Sequence, residues 1–203
     1  MVPLLFATRN GHKTAEFSPI IGRGFSVADL ASLPEAPVVE ETGTSFEENA
    51  ILKAVAISCL TGALVVADDS GLEVDVLAGA PGLFSARFAG PNSTDADNIA
   101  ELLGELQKTD QREPWRARFR CVLALARRSS VLRTFSGTLH GYINTQARGA
   151  GGFGYDPVFV PDGFGRTLAE VGVETKNAIS HRAAAASELK SFLARSGELR
   201  DGV

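Results

Sequence analysis

Two short apolar runs, each stopped abruptly by polar residues, constrain this chain most. Leu4-Leu5-Phe6-Ala7 leads straight into Thr8-Arg9-Asn10-Gly11-His12-Lys13, and Ala63-Leu64-Val65-Val66-Ala67 into Asp68-Asp69-Ser70-Gly71. An unbroken apolar run of this length reads as a strand covered on both faces, as in a sheet with helices packed against it. Between the runs, Ser45-Phe46-Glu47-Glu48 fits a capping box, with Ser45 as N-cap and Glu48 at N3. A helix is expected from there to about Thr61, with Gly62 as its C-cap.

The rest of the chain continues this alternation. A short helical stretch runs from the first loop to about Phe17, and residues 18 to 40 give no clear pattern. Leu72, Val74 and Val76 alternate with Glu73 and Asp75 as a half-exposed strand, and Gly79-Ala80-Pro81-Gly82 is a turn. Thr94 or Asp95 caps a helix to about Gln107, and residues 108 to 114 form a polar loop. From Arg116, residues Ala117, Phe119, Cys121, Leu123 and Leu125 take one face of a strand, which turns at Arg127 to Ser130 into a second strand through about Leu139. A glycine-rich loop, Gly149 to Pro157, precedes a short strand Val158-Phe159-Val160; a loop carries Lys176, and a last helix runs from about Ser180 to Arg195. The tail from Gly197 to Val203 reads as frayed. This order predicts an α/β fold with a mixed sheet and flanking helices.

Composition narrows the function. The 203 residues are enough for a self-sufficient core and suggest a single domain over residues 1–203. Twenty basic and 24 acidic residues give a net charge of −4, which disfavours nucleic acid as a partner; an anionic substrate would need a local positive pocket. Alternating Arg116, Arg118 and Arg120 lack interleaved aromatics and read as a solvated strand face rather than an RNA surface. Cys59 and Cys121 sit in apolar stretches and read as buried hydrophobes of a reducing compartment. With no basic n-region and no apolar run near 18 residues, neither a signal peptide nor a membrane span is expected, and the location is read as cytoplasmic.

Several segments could carry chemistry. Thr8, Asn10 and Lys13 lie between a strand and a helix N-terminus and suit phosphate oxygens, although an ordinary turn with a solvated lysine has the same residues. On the helix from Phe46, Asn49 and Lys53 share a face with Ala50, Ala54 and Ile57, so Lys53 either snorkels outward or points into a cleft. Asp68 and Asp69 offer oxygen ligands for Mg²⁺ and a base for an attacking water, or else they cap a turn. Ser70 could meet a phosphate, and Glu40 or Glu41 could add a metal ligand. Phe153-Gly154-Tyr155-Asp156 offers aromatic faces for a nucleobase beside one carboxylate, or a loop whose rings plug a core. Arg182 could donate to a base carbonyl, or Ser180-His181-Arg182 could be a solvated helix start.

Taken in order, these segments resemble the inosine/xanthosine triphosphate pyrophosphatase family, bacterial dITP/XTP type. The resemblance is carried by Phe6 to Lys13, Glu40 to Ala50, Ala67 to Leu72, Gly79 to Gly82, Ser85-Ala86-Arg87, Gly151 to Pro157, Lys176 and Ser180-His181-Arg182. It implies hydrolysis of dITP, ITP or XTP to the monophosphate and pyrophosphate, a Mg²⁺ requirement, a homodimer, and an elongated fold with two lobes around a central cleft. It also implies that Thr8, Arg9, Asn10, Gly11, His12 and Lys13 bind the triphosphate and that Asp69 accepts the proton and meets Mg²⁺, with Asp68, Glu40 or Glu41 near the metal. Lys53 and Ser70 contact substrate, Phe153, Gly154, Tyr155 and Asp156 hold the base, and Lys176, His181 and Arg182 complete the pocket. The family usually has glycine where this chain has Arg9, so Arg9 is expected either to strain or reshape the loop or to add a phosphate contact. Other readings are a Maf-type pyrophosphatase acting on pyrimidine or modified nucleotides, and a nucleotide sensor without turnover.

Overall fold

The computed structural model describes residues 2–22 and 24–195. Among these, β1 (Val2–Phe6), β2 (Phe25–Asp29), β3 (Leu64–Val74), β4 (Trp115–Arg127), β5 (Ser130–Ile143) and β6 (Phe159–Pro161) form one mixed sheet in the order β2-β1-β3-β4-β5-β6. β1 pairs in parallel with β2 and with β3, as expected of strands separated by helices, and β5 pairs antiparallel with β6. The helices are α1 (Gly11–Ile21), α2 (Phe46–Thr61), α3 (Asp95–Gln107), α4 (Val173–Ile179) and α5 (His181–Arg195). This is the α/β fold with a mixed sheet and flanking helices that the sequence pattern predicts.

The described residues group into two compact units. The first takes residues 2–22, 24–69, 121–137 and 181–195; the second takes Ser70–Arg120 and Thr138–Ser180. Each has its own core. In the first, Leu4 and Phe6 of β1, Val66 of β3 and Leu123 and Leu125 of β4 pack with Phe17 of α1 and Leu189 and Leu193 of α5. In the second, Leu72, Val74, Trp115 and Phe119 pack with Leu102 and Leu106 of α3 and with Tyr155 and Phe159. Fully burying side chains of this size contributes about 1.5–3 kcal/mol each before the cost of ordering them.

Local chemistry sets the element ends. The Ser45 hydroxyl accepts from the Glu48 N–H, and Gly62 closes α2 in the left-handed conformation at φ 65°. The Glu48 carboxylate reaches back to the Thr44 N–H and hydroxyl, so the expected box closes one residue earlier. The complete box is on α3, where Thr94 and Asp97 bond reciprocally. At the β4–β5 turn Arg128 and Ser129 both have positive φ, the backbone that lets a two-residue hairpin match strand twist.

Other expectations need correction. The Asp68 to Gly71 segment is no turn: β3 runs unbroken through it to Val74, and Val76 falls in a 3₁₀ turn. β3 survives there because the aspartates are partnered by lysines and an asparagine. α1 continues past Phe17 to Ile21, and β5 past Leu139 to Ile143. Lys176 sits on α4, not on a loop. Cys121 is buried as expected, but Cys59 is exposed, because it falls on the outer side of α2. Arg116 pairs with Asp162, and Arg118 with Glu73 and Asp75. The expected tail from Gly197 lies outside the described residues. Among the described residues, no helix is long and apolar enough to cross a membrane.

Candidate active site

In the first unit, β1 stops at Phe6 while β3 goes on. The two pair through Leu5–Val65 and Phe6–Val66, and the Ala7 N–H donates to the Val66 carbonyl. Asp68 and Asp69 therefore stand where β3 outruns β1, beside the loop from Thr8. That loop is locally built: the Thr8 hydroxyl accepts from the Asn10 N–H, and the Asn10 side chain caps α1 by accepting from His12 N–H. Gly11 and His12 are exposed in the first turn of α1.

Successive strand residues project to opposite sides, so Asp68 and Asp69 meet different partners. Asp68, 2% exposed, pairs with Lys13 at 2.8 Å, and the Arg182 Nε lies 3.8 Å away. Arg182 is itself buried and bonds Glu16 of α1. Burial pushes the Asp68 carboxyl up, but the Lys13, Arg182 and Lys53 charges outweigh it and hold it well below the usual carboxylate range.

Asp69 accepts from the Asn49 amide at 3.1 Å and lies 3.5 Å from Lys53 Nζ. Lys53 Nζ also contacts Glu41 at 2.6 Å. Here burial dominates: it raises the Asp69 carboxyl, Lys53 opposes it, and the Glu41 and Asp68 charges add to it. For Lys53, burial lowers the ammonium, but the Asp68, Asp69 and Glu41 charges outweigh it and raise it. Lys53 thus points inward rather than snorkelling.

A cavity of about 250 Å³ is lined by Thr8, Arg9, Asn10, Lys13, Glu41, Lys53 and Asp68, with Pro37, Val38 and Val39 as an apolar wall. Those first seven residues, all expected from sequence to serve the site, thus share one cavity. Glu40, Gly11, His12 and Asp69 are outside this lining; Asp69 adjoins it through Lys53, 3.5 Å away.

The second unit brings together another group. The Asp156 carboxylate, 3% exposed, accepts from the Phe153 N–H at 2.9 Å and from Lys176 Nζ. Lys176 Nζ also lies over the Phe153 ring, 4.6 Å from its centre. Gly152 has φ +74°, and a Cβ there would stand 2.0 Å from the Asp156 carboxylate, so the loop needs glycine at this position. The Gly154 N–H donates to Asp95 at 2.6 Å. Tyr155 faces the core and donates to the Ser85 carbonyl at 2.9 Å, so of the two rings Phe153 is the one left half-buried. Burial also pushes the Tyr155 hydroxyl up, reinforced by Asp95. Ser70 lies on β3 in this unit, while His181 is buried at the start of α5 in the first.

Two neighbours of the candidate residues, Glu16 and Asp95, escape sequence reasoning. Glu16 stands three residues after Lys13, on the same helix face, next to the apolar Phe17. Asp95 comes directly after the Thr94 cap and reads from sequence only as a helix start. The spacing that puts Asn49 beside apolar positions names no partner for it; the partner is Asp69.

The first unit supplies one depressed and one raised carboxyl and a lysine-lined cavity; the second supplies an aromatic loop fixed by a buried ion pair. The chain matches the Ham1 family over residues 4–192. It is 45% identical over 194 residues to a dITP/XTP pyrophosphatase of Bacillus licheniformis, covering 95% of this chain and 98% of that protein. It is 46% identical over 198 residues to a dITP/XTP pyrophosphatase of Geobacter sulfurreducens, covering 97% and 99%. The solved structure of a HAM1 protein from Coxiella burnetii superposes with a TM-score of 0.88 at 38% identity, covering 97% of this chain and all of that one. The sequence order of motifs, the mixed sheet and these relatives agree, and the chain belongs to the Ham1 family.

Proposed function

We propose that this chain hydrolyses non-standard purine nucleoside triphosphates such as dITP, ITP and XTP to the monophosphate and pyrophosphate. The observation that carries the reading is Asp69: a carboxyl raised by burial, oriented by Asn49 and set beside Lys53. A raised carboxylate is a better proton acceptor near neutral pH. The names of the Bacillus and Geobacter relatives support the substrate class and favour it over the Maf-type alternative.

In this reading Asp69 takes a proton from water, whose oxygen attacks the α-phosphorus. The bond from that phosphorus to the bridging oxygen breaks, and pyrophosphate leaves. Lys13, fixed by Asp68, and Lys53 offset the charge of the polyanion, and the first-turn N–H groups of α1 add donors for its oxygens. Thr8, Asn10 and Ser70 are proposed as further phosphate contacts. The base is proposed to stack on Phe153, whose loop is held by Asp156 and Lys176.

Mg²⁺ fits the donor set, because Glu41 and Asp69 are oxygen ligands that already converge on one cation, the Lys53 ammonium. Among the described residues no group of three potential ligands gathers, so Asp69 and Glu41 would hold the ion with substrate oxygens and waters completing it; Asp68 is turned to Lys13. When bound, Mg²⁺ would neutralise phosphate charge and stabilise charge developing in the transition state. A homodimer working in the cytoplasm, without nucleic acid or membrane partners, completes the proposal and rests on the sequence resemblance and composition.

The test is pyrophosphate release by the purified protein with and without Mg²⁺, across dITP, XTP, dATP, dGTP, dTTP and UTP. Rapid release from dITP and XTP only, and only with the metal, is expected. Preference for dTTP or UTP would overturn the reading in favour of the Maf-type one, and binding without release would leave a sensor.

A further inference from the structure

The family resemblance leads to an expectation of strain at Arg9, yet its backbone is unstrained. Among the described residues the non-glycine positive φ values belong to Ala78, Arg128 and Ser129. Its side chain is engaged within the protein: Nη2 donates to the Ala36 carbonyl at 2.5 Å and lies 3.5 Å from that of Pro34. Ala36 is buried, and its N–H returns to Leu33.

The residues just beyond Ala36 belong to the site. Pro37, Val38 and Val39 form the apolar wall of the cavity, and Glu41 reaches Lys53. Pro34 and Pro37 have no N–H, so beyond the single donation from the Ala36 N–H this stretch is held through its carbonyls. Val38 is 85% exposed and adds little packing of its own. The guanidinium of Arg9 and the amide of Asn49, which accepts from Gly43 N–H at 2.8 Å, hold the two ends.

We propose that Arg9 is a positioning residue: its guanidinium latches the Pro34–Ala36 carbonyls and thereby sets the 37–41 wall and the Glu41–Lys53 pair, instead of gripping phosphate. The latch stands on geometry alone. Its effect on turnover rests on the function proposed above.

The experiment compares wild type, Arg9→Gln and Arg9→Lys. Hydrogen exchange of the amides of residues 35–44, in protein without nucleotide, reads the latch directly. Exchange in Arg9→Gln is expected to be about tenfold faster, with Arg9→Lys intermediate because it keeps a single cationic donor. Turnover in Arg9→Gln is expected to lose about tenfold in kcat, while inhibition by inorganic tripolyphosphate stays within about threefold of wild type. Unchanged exchange would overturn the latch. So would a tenfold loss of tripolyphosphate affinity with kcat intact, the signature of a phosphate ligand. If no variant hydrolyses any nucleotide, the proposed function fails, and exchange still decides the latch.

Discussion

Asp68 and Asp69 are neighbours on one strand, and their surroundings push their carboxyls in opposite directions. The first is held ionised by Lys13, Arg182 and Lys53. The second is buried against Asn49 with weaker compensation. Adjacent groups driven apart in this way suit the proposed division of labour, in which one fixes charge and the other exchanges a proton.

Asp69→Asn keeps the shape and the Asn49 contact but loses the base. Turnover should fall about 10²- to 10⁴-fold while nucleotide affinity stays within severalfold. Because burial raises the wild-type carboxyl, in metal-free protein it should titrate above the ordinary aspartate value of about 3.9. Pyrophosphate release with nucleotide binding measured alongside checks the first statement, and a carboxyl-resolved NMR titration of metal-free protein the second; wild-type-like turnover in the variant would remove Asp69 from the mechanism.

Asp68→Asn should act on stability. It leaves partly buried Lys13 without this counter-charge and buried Arg182 with Glu16 alone; a buried pair that loses one partner costs about 3–5 kcal/mol, and the retained Arg182–Glu16 pair puts the expected loss at the lower end. The sign with pH comes from the depressed carboxyl: its stabilisation is fully present above the unfolded value and fades as pH falls toward the folded one. Denaturant unfolding of both proteins from neutral to strongly acid pH should show the gap closing in acid.

Phe153→Ala removes the half-buried aromatic face of the second unit but leaves the Asp156–Lys176 pair. A lost stacking contact of about 1–3 kcal/mol should raise KM for purine triphosphates about 5- to 150-fold with little change in kcat. Inhibition by inorganic tripolyphosphate, which has no base, should not change. Equal losses for both would place Phe153 outside base binding.

Gly137→Ala tests how α5 meets β5. A Cβ at Gly137 would stand 2.1 Å from the His181 carbonyl oxygen and 2.7 Å from Ala185 N, so helix backbone has to move. Overpacking of this kind costs about 1–3 kcal/mol or more. The melting temperature should drop by about 2–4 °C for each kcal/mol in a chain of this size. An unchanged melting temperature would mean that α5 shifts freely.

Much of the fold is legible in the sequence alone. Apolar runs of four and five residues mark β1 and the start of β3, and the spacing of Phe46, Ala50, Ala54 and Ile57 marks the buried face of α2. Chemistry-bearing segments are legible because polar groups at strand ends and beside apolar helix positions have few structural excuses. The features that stay hidden depend on contacts distant in sequence. Asp68 and Asp69 read as a turn because isolated carboxylates break strands; only Lys13, Asn49 and Lys53, 16 to 55 residues away, make the strand tenable. Arg182 reads as a donor for a base, and nothing local shows that Glu16, 166 residues earlier, takes its guanidinium. The role of Arg9 is hidden likewise, since its partner carbonyls lie 25 and 27 residues on.

The first unit draws on stretches from the start, middle and end of the chain. Leu189, Leu193 and Arg182 come from the last helix, yet they complete a core begun by Leu4 and Phe6. During synthesis, then, the amino-terminal strands must wait for almost the whole polypeptide before their core can close. Until α5 is made, Asp68 has Lys13 but not Arg182 beside it, so its compensation is incomplete. A ribosome-bound chain cut short before residue 181 should remain a client for chaperones rather than a small working enzyme, and the last helix acts as the signal that folding can finish.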